Sequence, residues 1–156
     1  MEHLAVQRQK IQVSIVCRDK QILEGNLFLS PQAKTHPGKE TVLEFMNEKD
    51  RFFALSTEGD KRVKILHKEG IKEIIVDAAS EFQDVDRFQL GAKEEAMTVV
   101  FDDSTELEGI AYVELPPQKS RAIDFMNHSE KFFSLCVGEK MHIINKHYVN
   151  YIIPGR

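Results

Sequence analysis

"EFMNEKDRFFAL" runs from Glu44 to Leu55, and "DFMNHSEKFFSL" runs from Asp124 to Leu135. The two stretches lie 80 residues apart and are identical at six of twelve positions. Glu44/Asp124, Asp50/Glu130, Arg51/Lys131 and Ala54/Ser134 exchange like for like. The echo extends outward on both sides. "VSIVCRDKQILEG" (Val13–Gly25) matches "MTVVFDDSTELEG" (Met97–Gly109) at a shift of 84, and "LSPQ" (Leu29–Gln32) matches "LPPQ" (Leu115–Gln118) at 86. "ILHKEGIKEI" (Ile65–Ile74) matches "IINKHYVNYI" (Ile143–Ile152) at 78. The shift changes between blocks, most at "AKTHPGK", a loop six residues shorter in the second copy. Loops accept length changes and paired elements do not, so the pattern is that of a duplicated folded unit. The copies occupy 11–77 and 96–153, and residues 78–95 read as a linker or short helical connection.

Within one copy, Ile11, Val13, Ile15 and Cys17 alternate with Gln12, Ser14, Val16 and Arg18, the period of a half-buried strand. "RDKQ" and "DDST" are polar turns into a second strand that carries Gly25 or Gly109 in its interior, where a bend or close approach is expected. Val42, Leu43, Phe45 and Met46, like Ala122, Ile123, Phe125 and Met126, form one face of a short helix. Asn47 and Asn127 follow, at the place of a left-handed helix-terminating residue. The adjacent Phe52/Phe53 and Phe132/Phe133 point to opposite faces of a strand. One ring of each pair enters the copy's own core. The other, read as Phe53 and Phe133, packs between the copies or lies under the short helix. "RVKILHKEGIKEIIV" reads as two strands around a tight turn at Glu69-Gly70. Each copy thus has five strands and one helical turn. The expected fold is mainly β, a tandem duplication of a small five-stranded SH3-like or Sm-like barrel.

Composition narrows the function. The chain of 156 residues is 42% hydrophobic, as a globular core requires, and no window approaches a membrane span. Its first residues lack the layout of a signal peptide, so the expected compartment is the cytoplasm. Net charge is −4, with 13 Lys and Arg against 12 Asp and Glu in residues 1–78 and 8 against 13 in residues 79–156. A strong nucleic-acid binder carries a basic face, and the second half lacks one. Cys17 and Cys136 stand outside any paired-cysteine motif and read as reduced, mostly buried thiols. No phosphate-loop, dinucleotide, zinc-protease or serine-hydrolase motif occurs, and the six histidines are scattered. None of the differences between the copies completes a nucleophile–base pair. No enzyme activity, cofactor or metal is expected.

The second copy resembles a bacterial domain family of unknown function with the pattern L-x-G, L-P, R-x-x-D-[FY]-[LM]-N, F-x-x-L and I-N-K-x-x-[IV]. Leu107, Gly109, Leu115, Pro116, Arg121, Asp124 to Asn127, Phe132, Leu135, Ile144, Asn145, Lys146 and Val149 carry that pattern. The first copy departs from it at His67 and at Ser30-Pro31. The family brings no activity. "LEG…DFMN" is also similar to Sm-like RNA-binding proteins, whose asparagine lies in a base-contacting loop. Here the spacing is longer, a charged turn follows the asparagine, and the second Sm motif is absent.

The functional expectation is a non-catalytic protein-interaction or adaptor module whose partner is another protein or a second copy. An Sm-like RNA binder and a small-molecule-binding regulatory domain are the alternatives. Candidate contact residues are Phe53, Phe133, Asn47 and Asn127 at the groove between copies. Lys34, His36 and Lys39 are candidates in the long loop "SPQAKTHPGK" of the first copy.

Overall fold

The computed structural model describes residues 8–34, 38–57, 59, 62–81, 92–115 and 121–155. The first unit contains β1 (Gln9–Cys17), β2 (Ile22–Leu29), α1 (Val42–Met46), β3 (Phe52–Ser56), β4 (Val63–His67) and β5 (Ile71–Asp77). A short helix α2 (Ala78–Glu81) follows. The second unit repeats the series as β6 (Lys93–Phe101), β7 (Glu106–Val113), α3 (Ala122–His128), β8 (Phe132–Val137), β9 (Lys140–Asn145) and β10 (Val149–Pro154). A 3-10 turn joins the last two strands of each unit, at Lys68–Gly70 and Lys146–Tyr148. The second unit begins at Lys93, inside the stretch read as linker, and 82–91 of that stretch lie outside the described residues.

The strand order bears out a mainly β chain but does not confirm a tandem pair of five-stranded barrels. All ten strands form one unclosed antiparallel sheet, β10-β6-β7-β8-β9-β5-β1-β2-β3-β4. Each unit keeps the same internal order, with its fifth strand beside its first and its fourth strand at the far side. A closed barrel would pair β4 with β5. Instead β5 pairs with β9 of the other unit, with Ile74 opposite Ile143 and Val76 opposite Met141. The turn at Glu69-Gly70 therefore does not make a hairpin; it carries the chain from the sheet edge across to β1. The physical reason lies in size. About 60 residues bury only enough surface for marginal stability, and a shared joint buries more.

The sharing is visible in the cores. Val13, Ile15, Leu27, Val42, Leu55 and Ile74 of the first unit pack with Phe132, Met141 and Ile143 of the second. Met97, Val99, Phe101, Phe133, Leu135 and Ile144 form the second core. β8 and β9 thus serve both, one face to each, as the two-residue period of a strand allows.

Local devices are duplicated with similar fidelity. Lys20 and Ser104, equivalent turn residues, both take positive φ (73° and 72°). Gly25 and Gly109 mark where β2 and β7 pass close to the backbone of β3 and β8. A Cβ at Gly25 would stand 2.4 Å from the Ser56 carbonyl oxygen, and one at Gly109 would stand 2.6 Å from that of Cys136. Among the described residues, one pair joins β2 to β3 there and one joins β7 to β8. The left-handed asparagine is not found: Asn47 ends α1 with φ −89° and ψ 0°, and Asn127 lies within α3. Neither helix needs a left-handed stop, because a lysine satisfies carbonyls at its C-terminal end.

Candidate functional site

The joint between the units is built by side chains that reach across it. Asn47, at the end of α1, accepts the Phe132 N–H at 2.9 Å and donates its amide to the Phe132 carbonyl at 3.1 Å. It pairs with the first residue of β8 as a neighbouring strand would. Asn145 donates to the Ile71 carbonyl at 3.0 Å and accepts from the His147 N–H at 3.0 Å. Tyr148 donates its hydroxyl to the Glu69 carbonyl. His142 of β9 meets the Glu73 carboxylate of β5 at 2.5 Å with both side chains largely buried. Lys72 lies 3.3 Å from Asp103, 3.0 Å from the Thr105 hydroxyl and 4.2 Å from the centre of the Phe101 ring. Bonds from the Thr105 hydroxyl and N–H, helped by Lys72, lower the Asp103 pKa to about 2.

Two lysines occupy equivalent places. Lys68 donates to the carbonyls of Phe45 (3.2 Å) and Glu48 (3.0 Å), and Lys146 donates to those of Met126 and Ser129. Each supplies donors to the helix end, where carbonyls lack intrahelical partners. Burial pushes both ammonium pKa values down. The N-terminal end of α1 is held by Thr41, whose hydroxyl accepts from the Glu44 N–H at 3.1 Å, and by Glu81 of α2, which accepts from Val42 and Leu43. In the second unit, Arg121 lies 3.1 Å from Asp124 in a surface ion pair.

Two grooves flank the joint. One, about 740 Å3, is lined by Arg51, Lys68, Lys131, Asn145 and Lys146 among others. The other, about 370 Å3, is lined by Leu43, Asn47, Tyr112, Phe125, His128 and Phe132 among others. The first is polar, but the ammonium groups of Lys68 and Lys146 in it are held by carbonyls. Cys17 and Cys136 are unpaired, and burial raises both thiol pKa values, with Asp19 adding to the effect at Cys17. Among the described residues, no three His, Cys, Asp or Glu side chains gather as metal ligands.

The candidates from the sequence are therefore placed as follows. Asn47 lies at the joint, while Asn127 is exposed on α3. Phe53 and Phe133 face their own cores, each edge-on to a helix phenylalanine, Phe45 at 5.9 Å and Phe125 at 6.0 Å. The ring that enters the other unit's core is the first of its pair, Phe132. Its counterpart Phe52 lies exposed and stacks on His67 at 4.6 Å. Lys34 is exposed and pairs with Glu48 at 3.4 Å, and Lys39 is exposed. His36 lies outside the described residues. The sequence reading missed Val63, Ile65, Tyr151 and Ile153, large apolar side chains exposed on the two outermost strands. The signal for β4 was present: Val63 and Ile65 align with Met141 and Ile143, so the first copy holds an apolar face like one the second buries.

A comparison of the chain with protein families, with curated proteins and with solved structures finds no match. Among the described residues, no helix is long and apolar enough to cross a membrane.

Proposed function

We propose that this protein is a non-catalytic interaction module that binds protein partners through the edges of its sheet. In this reading each five-stranded unit is an incompletely closed SH3-like or Sm-like barrel. One observation carries it: among the described residues, the sheet ends in two edge strands, β4 and β10, that bear exposed apolar side chains. An unpaired edge offers a row of backbone donors and acceptors for strand addition, and neighbouring side chains set its specificity. Natural edges are commonly blunted by charge; β4 carries Lys64 but also shows Val63 and Ile65 exposed. The lysines that a nucleic-acid reading would place on one face are partly committed, Lys68 to carbonyls and Lys34 to Glu48.

The test is retention of partners from a native lysate at low salt, comparing the wild-type chain with an Ile65→Lys, Tyr151→Lys edge variant. Loss from the variant of a protein retained stoichiometrically by the wild type is the expected result. Nucleic acid held equally by both and released by salt would replace this reading with the Sm-like one.

A further inference from the structure

The internal joint has an empty duplicate. In the first unit, Val42, Met46, Ile71 and Ile74 form a cup filled by Phe132, Met141 and Ile143 from the second. At shifts of 80 and 78, the cup residues correspond to Ala122, Met126, Val149 and Ile152. These four line an open groove of about 500 Å3 between α3 and β10. The filling residues correspond to Phe52, Val63 and Ile65. Phe132, Met141 and Ile143 are 2%, 1% and 0% exposed, whereas Phe52, Val63 and Ile65 are 57%, 61% and 66% exposed. Among the described residues, the sheet thus carries a formed joint inside and both halves of a second joint, unmade, at its two ends.

We infer that the partner for these ends is a second copy of this chain. β10 of one molecule adds to β4 of the next, and Phe52, Val63 and Ile65 of the second fill the groove of the first. This identification of the partner rests on the edge-binding reading above. Transposing the β5–β9 register sets Ile152 opposite Ile65 and Ile153 opposite Lys64. Asn127 then stands where Asn47 stands inside, ready to pair with the backbone of Phe52. Among the described residues, the Asn127 side chain is exposed and has no hydrogen-bond partner. Because the two edges differ, the contact is head-to-tail and builds a ring or a chain rather than a two-fold dimer. Pro154 bounds it: Gly155 donates its N–H to Ala96 of β6 at 2.7 Å, so by alternation the Pro154 nitrogen faces outward and cannot donate. The new ladder ends there. The joint also differs from its template at His67, which replaces Asn145, and at Tyr151, which replaces Glu73.

The experiment is light-scattering mass across a concentration series. The full chain should rise with concentration from 17.9 kDa to multiples of it. Two variants change exposed side chains only: Ile65→Lys on the β4 edge, and Ile123→Asp with Tyr151→Lys at the groove. Each alone should stay at 17.9 kDa, with an unchanged melting temperature. Mixed in equal amounts, they should form a dimer that grows no further, since each retains the half the other lacks. A wild type that stays monomeric at the highest concentration overturns the inference, as does a groove variant that assembles alone like the wild type. In either case, retention of a different protein that depends on Ile65 and Tyr151 would leave the edge-binding reading standing.

Discussion

Asn47 satisfies both backbone groups of Phe132, and Asn127, its counterpart, touches neither backbone group of Phe52 within the same chain. Asn47→Ala leaves a partly buried N–H and C=O unpaired, so it should cost about 1–3 kcal/mol in urea unfolding. Asn127→Ala should fall within about 0.5 kcal/mol of wild type under conditions where the chain is monomeric. Asp103 provides a second test at this scale. Its carboxyl is held at about 2 in the folded chain against an ordinary 3.8, by Thr105 and then Lys72. A depressed carboxylate contributes its stability above the unfolded value and loses it as pH falls through the folded one. Wild type should therefore lose stability more steeply than Asp103→Asn between about pH 4 and pH 2. Because the turn is exposed, the difference should be at most about 1 kcal/mol.

At the scale of elements, the two close-packed glycines make the sharpest test. Gly109→Ala pushes a methyl against the Cys136 carbonyl and the Leu135 side chain, and Gly25→Ala meets Ser56 and Leu55. Each should cost about 1–3 kcal/mol in a thermal melt, as overpacking does. Gly70→Ala, with nothing within 4 Å, should cost far less. These close approaches were legible in the sequence because a glycine interrupted the alternation at the same place twice. The strands and short helices were legible for a similar reason: apolar periodicity is local. The pairing of β5 with β9 was not, because Ile74 and Ile143 lie far apart in the chain and the letters around each suit a barrel strand equally well. Which phenylalanine crosses the joint was hidden too. The sequence says that Phe132 and Phe133 point apart, but not which side the neighbouring unit covers.

At the scale of the molecule, a first core completed by Phe132, Met141 and Ile143 makes the halves interdependent. The chain should unfold in a single transition, with calorimetric and van't Hoff enthalpies equal. Two separable transitions would mean that the β5–β9 joint adds little. The mainly β class followed from the repeat and its periodicity. Closure did not, because two sealed barrels and one open sheet share every local signal and differ only in which strand lies beside β5.

The covalent path from Glu81 to Lys93 has a consequence for how tightly each joint must hold. Carried on one chain, β5 and β9 meet at a raised effective concentration, so the inner joint closes even with modest intrinsic affinity. Its outer duplicate has no tether and lacks the donor that Pro154 withholds. Occupancy of the proposed outer joint would follow protein abundance, so one contact would be permanent within a molecule and adjustable between two.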